Sequence, residues 1–350
     1  MKSPSPIRGR GSASNPKNRF EGIELVPEPA DIDETSSPIT QFLTDSSKTI
    51  IAYNDSPDVG FDASINAYRG CEHGCIYCYA RPTHEYLGFS AGLDFETKIM
   101  VKKQAPEILR RELSDPKWQP KILAMSGVTD CYQPVEKKLQ LTRRCLEVLL
   151  EFRNPVVIVT KNFLVTRDID LLSELACYQC AAVCISLTTL DPKLTSVMEP
   201  RTSRPARRLA AISALSRANI PVGFLLAPMI PALTDSEAPA IAQAAARAGA
   251  TFGGYVPLRL PHAVKSLFES WLEQHYPEKK EKILNRIRAV RGGKLNDPNF
   301  HSRMKGEGIF AEQMAELFRL ACKKAGIHER RPHLSTEHFH RPSTPQLGLF

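Results

Sequence analysis

The stretch Asn66-Ala-Tyr-Arg-Gly-Cys71-Glu-His-Gly-Cys75-Ile-Tyr-Cys78-Tyr-Ala-Arg81 carries cysteines in the spacing C-x3-C-x2-C. They come directly after the first apolar run of strand length, Ser64–Tyr68. An iron–sulfur cubane takes thiolate ligands on separate irons. Three cysteines this close wrap three corners with one loop and leave the fourth iron without a protein ligand. An open metal position of that kind can bind a small molecule directly. Zinc is the competing reading, but zinc wants four ligands. His73 could be the fourth, yet it sits inside the loop between two ligands, an awkward place for tetrahedral closure. A c-type haem would need Cys-x-x-Cys-His, and Tyr79 stands where that His belongs.

Outward from this loop, apolar runs alternate with helical patterns. Strand-length runs lie at Ser64–Tyr68, Thr97–Val101, Lys121–Met125, Val156–Thr160, Ala182–Leu187, Val222–Ala227 and Phe252–Leu258. Helical periodicity is read over Pro106–Leu113, Glu136–Phe152, Asp168–Cys177 with Asp168 as N-cap, Pro205–Ala218, and Glu237–Ala248 closed by Gly249. Continuous apolar strands separated by helices predict an α/β fold with a parallel sheet. Six or seven units predict a complete or partial (β/α) barrel. An open doubly wound sheet competes, though no GxGxxG follows the first strand. Helices near Ala263–Gln274, Lys280–Val290 and Gly308–Ala325 form a C-terminal extension.

If a barrel forms, its active-site residues come from the C-terminal strand ends. Polar residues recur there: Lys102-Lys103, then Ser126 through Thr129, Asp130, Cys131, Tyr132 and Gln133, then Thr160-Lys161-Asn162, then Ser186, Thr188, Thr189 and Asp191. The group Cys177, Cys180, Cys184 precedes or lies within a strand and is read as packing, as are Cys145 and Cys322.

Composition bounds the rest. Nine cysteines, an odd and uneven set, argue against a secreted disulfide framework and for a reducing compartment. No apolar run approaches the roughly 20 residues that span a bilayer. The basic N-terminus has no apolar core to make a signal peptide, so a cytoplasmic protein is expected. Residues 1–45 lack apolar periodicity and are expected to be disordered, followed by one domain over 46–328 and a flexible tail over 329–350. The net charge of +8 admits a nucleic-acid partner. Arg201, Arg204, Arg207, Arg208 and Arg217, around one helix start, could reach phosphates or form a solvated face.

The cysteine loop, with the aromatic Tyr77 before the third Cys, resembles that of the radical S-adenosylmethionine enzymes. The stretches Thr-Asp-x-Tyr-Gln-Pro-x-Glu from Thr129, Thr160-Lys161, Arg167-Asp168, Ser-Leu-Thr-Thr-Leu-Asp from Ser186, and Glu199-Pro-Arg201 resemble the branch similar to spore photoproduct lyase. The resemblance covers roughly residues 60–325. It implies a partial (β/α)6 barrel, TIM-like, with Cys71, Cys75 and Cys78 holding a [4Fe–4S] cluster. It further implies that S-adenosylmethionine is cleaved to a 5′-deoxyadenosyl radical that abstracts hydrogen from the substrate. Lys161 would pair with the carboxylate of S-adenosylmethionine. Thr129, Asp130 and Ser186 would contact its polar groups, and Tyr77 would lie near its adenine. Glu199 and Arg201 would contact ribose or carboxylate, or else form an ion pair steadying their loop. The lyase returns hydrogen from a Cys just before the strand-end Asp; Gly127 holds that place here. Cys131, with Tyr132 beside it, is then a candidate relocated hydrogen donor, or a loop cysteine without a role.

The chemistry implies an electron donor of flavodoxin or ferredoxin type. The terminal Pro-Gln-Leu-Gly-Leu-Phe resembles the peptide by which bacterial repair proteins bind the replication sliding clamp, with Gln346, Leu347, Leu349 and Phe350 as anchors. DNA is therefore the expected partner, and a small-molecule or protein substrate is the alternative. A non-enzymatic iron–sulfur or zinc module is a third reading, against which the polar strand ends argue.

Overall fold

The computed structural model describes residues 5–21, 38–328 and 332–342. Its main sheet contains six parallel strands: β1 (Ala63–Ile65), β2 (Leu123–Met125), β3 (Val156–Thr160), β4 (Ala181–Ser186), β5 (Val222–Met229) and β6 (Phe252–Pro257). They lie in the order β6-β5-β4-β3-β2-β1, and the antiparallel strand Ile51–Tyr53 covers the free edge of β1. Leu123 pairs with Ala63 on one side and Val156 on the other. Every residue of β4 is buried, as a strand covered on both faces requires. Parallel neighbours need crossovers, and helices supply them: α1 (Ala105–Ser114), α2 (Leu141–Phe152), α3 (Ile169–Cys177), α4 (Pro205–Arg217) and α5 (Ala238–Arg247). This is the expected partial barrel. Three further helices, α6 (Val264–His275), α7 (Lys280–Val290) and α8 (Ile309–Ala325), extend it.

Two sequence expectations need correction. The run Thr97–Val101 is a strand, Lys98–Val101, but it pairs with Gln41–Thr44 and Tyr68–Arg69 in a separate small sheet. Lys102 and Lys103 are therefore not at a barrel strand end. The helix read over Glu136–Phe152 breaks at Gln140, whose φ is +51°. The break turns Glu136 inward, where its Oε2 accepts from Tyr68 Oη (2.5 Å) and the Thr142 amide (3.1 Å). Asp168 holds the N-cap position of α3, as expected, but its side chain makes no cap hydrogen bond; its carboxylate takes Tyr132 Oη at 3.0 Å, Arg143 at 3.0 Å and Arg167 at 2.7 Å.

Cys145, Cys180, Cys184 and Cys322 are buried, as the packing reading expects, while Cys177 is exposed. Parts of both termini are seated. Residues 5–21 lie along the cysteine loop, as described below. In the tail, Phe339 packs on Phe152 and Arg341 donates to the carbonyls of Asp115 and Trp118. Gln346, Leu347, Leu349 and Phe350 lie outside the described residues. No helix is long and apolar enough to cross a membrane among the described residues.

Candidate active site at the cysteine loop

The loop after β1 is held from both sides. The Cys71 amide donates to Phe95 O (2.9 Å) and the Ile76 amide to Met198 O (3.1 Å), with Ile76 buried beside Leu194, Met198 and α6. Arg81, fully buried, donates to the carbonyls of Cys75 (2.9 Å) and Gly74 (3.2 Å) and to Glu96 (2.5 Å). Gln133, in the Tyr-Gln-Pro stretch after β2, accepts from the Glu72 amide (2.9 Å) and donates to Gly70 O (3.2 Å). Arg81 and Gln133 lie within or beside the quoted motifs, yet composition and spacing do not say that they grip backbone.

The N-terminal strap closes the outside. The amides of Gly11 and Ser12 donate to Glu96 at 3.0 and 2.9 Å. A Cβ on Gly11 would stand 1.8 Å from Gly74 O, inside the loop itself. Gly11→Val is therefore expected to lift the strap, seen as several-fold faster labelling of Cys71 and Cys75 by a thiol reagent in the metal-free protein. Unchanged labelling rates would show that the strap does not cover the loop.

Cys71 and Cys75 are buried and Cys78 is half-buried. Burial pushes all three thiols up. Asp130, Cys75 and Cys78 add to the rise at Cys71, and Glu199 adds to it at Cys75 against the pull of Lys161. At Cys78 the Ala80 amide, Arg81 and Lys161 oppose it. Cys78 packs both against the apolar cluster that holds Cys75 and against the one that holds Cys71. Thiolates are soft ligands, and a bound cation deprotonates such thiols outright. The donor set therefore fits an iron–sulfur cluster. It does not fit zinc with His73 as fourth ligand, because both ring nitrogens of His73 are engaged: Nδ1 stands 3.3 Å from Asp130 Oδ2 and Nε2 3.2 Å from Asn162 Nδ2. Among the described residues no group of His, Cys, Asp and Glu is arranged to hold a single metal ion.

The strand ends of β2, β3 and β4 converge on this loop. Asp130 accepts from Thr160 Oγ1 (2.7 Å) and the Tyr132 amide (2.9 Å) at Oδ1, and from the Lys161 amide (2.8 Å) at Oδ2. Burial raises its pKa, but His73, Lys161 N–H and Thr160 outweigh burial and hold the carboxyl down at about 2. A depressed carboxyl contributes stability that is complete above its unfolded value near 4 and is lost as pH falls through about 2. Asp130→Asn is expected to remove on the order of 2 kcal/mol at neutral pH and flatten the acid limb of a stability–pH profile. An unchanged acid limb would overturn this role. Asp130 thus positions His73 and Lys161, with its oxygens taken up by the protein.

Lys161 directs Nζ to 5.8 Å above the Tyr77 ring and 3.4 Å from Ala227 O. Tyr77 donates its hydroxyl to Glu199, which also accepts from Thr188 Oγ1 (2.8 Å) and from Arg208. Burial opposes the Glu199 charge, but Arg208, Lys161 and Tyr77 keep it ionised. The Glu199–Arg201 pair does not form. Arg201 pairs with Glu72 at 2.9 Å, and the partner of Glu199 is the buried Arg208. Two of the five arginines around the α4 start are thus taken up in ion pairs, one of them buried, and Arg207 stacks on Phe163. Ser186 ends β4 buried, its carbonyl accepting from Arg208 at 3.0 Å. Thr129 is buried with its hydroxyl on Tyr68 O at 3.0 Å.

Cys131 and Tyr132 belong to the main core. The groups around the Cys131 thiol are Asp130, Ser126, Glu136 and Asp168, and burial raises it well above a free thiol. The Tyr132 phenol is committed to Asp168. At Gly127 an added Cβ would stand 2.9 Å from Ser64 Cβ, so a side chain there needs β1 to give way.

The family model of the Radical SAM superfamily matches residues 65–245. An uncharacterised protein of Mycobacterium tuberculosis (strain ATCC 25618 / H37Rv) is 36% identical over 275 residues, 78% of each chain. One from Methanocaldococcus jannaschii is 28% identical over 222 residues, covering 63% of this chain and 79% of that protein. Among solved structures, spore photoproduct lyase complexed with dinucleoside spore photoproduct aligns with TM-score 0.61 at 16% identity, over 82% of this chain and 81% of that one. A double mutant of the same lyase with bound S-adenosylmethionine and dinucleoside spore photoproduct gives 0.60 at 17% identity, over 82% and 80%. At such identities these likenesses establish the fold.

Proposed function

Because the chain belongs to the radical S-adenosylmethionine superfamily, a family of enzymes that use a [4Fe–4S] cluster and S-adenosylmethionine, we propose that Cys71, Cys75 and Cys78 hold the cluster and that the substrate is a base in nucleic acid. When bound, cluster and S-adenosylmethionine together supply a 5′-deoxyadenosyl radical that abstracts hydrogen. The protein's part is to place and shield. The strap and the α6 core keep water from the cysteine loop. Lys161 offers its ammonium to a carboxylate beside the thiols. Glu199, charged through Arg208, fixes the Tyr77 ring that walls this space.

The observation that carries the reading is the Lys161 ammonium standing over Tyr77, the residue between Cys75 and Cys78 in the loop, with its charge pulling both thiols down. Lys161→Met is expected to raise KM for S-adenosylmethionine roughly ten- to a hundredfold, the worth of a hydrogen bond to a charged group. An unchanged KM would remove Lys161 from the cofactor site.

Nucleic acid is favoured by the net charge and by the lyase fold, a solved complex of which holds a dinucleoside spore photoproduct. Gly127, crowded against Ser64, makes hydrogen return by the lyase's own cysteine route a poor fit. The reaction is therefore a relative of lesion reversal. The test is anaerobic reconstitution and reduction, then assay of 5′-deoxyadenosine with and without DNA. Stimulation by DNA and binding with a steep salt slope support the reading; salt-independent or absent binding overturns the nucleic-acid part. We further propose a cytoplasmic enzyme, reduced by a flavodoxin- or ferredoxin-type donor. Its Gln346–Phe350 peptide would dock on the sliding clamp, and removal of that peptide should abolish clamp binding in a pull-down.

A further inference from the structure

Arg259 follows β6 at the same end of the barrel as the cysteine loop. Its backbone is rigidly presented: Leu258 and Leu260 are buried on either side, and Arg291 clamps the carbonyls of Pro257 (3.0 Å) and Leu258 (2.8 Å). Its guanidinium lies 5.7 Å from the ring of Tyr79, the residue after Cys78, and that ring is 49% exposed. Yet the cation lacks an anion. Nε is buried without a hydrogen-bond partner, and the guanidinium's one partner among the described residues is the thioether of Met304 at 3.4 Å, a weak acceptor. The carboxylates whose charge reaches it are committed elsewhere: Asp58 to Arg303 and to the His301 amide at 2.6 Å, and Asp297 to the Asn299 amide at 2.9 Å. A partly buried cation with its planar fork of donors unused, at the mouth of a site, is built to receive an oxyanion.

We propose that Arg259 is the phosphate-binding residue of the substrate site, taking one backbone phosphodiester of the nucleic acid and so setting which base faces the cysteine loop. This rests on the nucleic-acid reading above. A guanidinium grips a phosphate through two parallel N–H bonds, and its rigid mount fixes one linkage rather than attracting the strand as a whole.

The test is binding of a short oligothymidylate to the anaerobic, reconstituted protein, with one linkage at a time replaced by a neutral methylphosphonate. In the wild type, one position in the scan should weaken binding roughly tenfold or more. In Arg259→Met that penalty should vanish, and in Arg259→Lys it should shrink, because charge without the fork keeps only part of the contact. A thermal melt checks that both variants fold. If Arg259→Met shows the same position-specific penalty as wild type, the inference is overturned while the nucleic-acid reading stands. If the wild type binds no strand, the nucleic-acid reading fails. Inorganic pyrophosphate then decides the subsite alone: a melting shift lost in Arg259→Met keeps it, and no shift overturns it.

Discussion

Cys75→Ala is expected to abolish the cluster's visible absorbance after reconstitution and to drop 5′-deoxyadenosine formation to background. The loop offers three thiols. Beside them, His73 is shared between Asp130 and Asn162, and Glu199 between Tyr77, Thr188 and Arg208. Neither of these two is therefore free to take over a lost thiolate. Cys131→Ala is the internal comparison. Its thiol lies in the main core, so its loss costs about 1 kcal/mol of packing and leaves the cluster in place. Retention of cluster and cleavage in Cys75→Ala would defeat the central reading, as would loss of the cluster in Cys131→Ala.

Arg208→Met should be the most damaging change outside the cysteines. Arg208 is fully buried and donates to Glu199, to Thr202 Oγ1 (2.6 Å), and to the carbonyls of Ser186 (3.0 Å) and Ser203 (2.7 Å). Without it, the buried Glu199 carboxylate loses its ion-pair partner and keeps only the hydroxyls of Tyr77 and Thr188 and the charge of Lys161. Breaking one half of such a pair costs about 3–5 kcal/mol, a large share of the ~5–15 kcal/mol that holds a domain together. Urea unfolding of the metal-free protein measures it. The double variant Arg208→Met with Glu199→Gln should recover a substantial part, since the stranded charge is gone. A single-variant cost under about 1 kcal/mol, or no recovery in the double, would show that the pair is not the keystone of this end of the barrel.

These two cases mark where sequence and structure divide. The C-x3-C-x2-C spacing is a local property, so the cysteine loop could be read directly. The parallel strands could be read too, because a strand covered on both faces must be apolar along its length, as β3 and β4 are up to their last residues, Thr160 and Ser186. The Lys98–Val101 run was misplaced for the same reason: Ile99 and Val101 are buried, but burial does not say in which sheet. Asp168 is the N-cap of α3, as its position suggests, and only the structure shows that its carboxylate goes to Tyr132, Arg143 and Arg167 rather than to the helix amides.

What the sequence by itself determined is the chemistry: three clustered thiols after the first strand, and a lysine at a later strand end. What the tertiary structure decided is which polar groups remain free to use it. Glu199 and Arg201 are two residues apart and look like a pair. The turn into α4 instead brings Arg208 inward to Glu199 and leaves Arg201 for Glu72. Asp130 is drawn into bracing His73 and Lys161, while Arg259, with no motif to mark it, is left with a buried donor unpaired. The physical reason is that a buried polar group must find its partner across space. Spacing along the chain identifies the donors and acceptors, but folding alone allocates them.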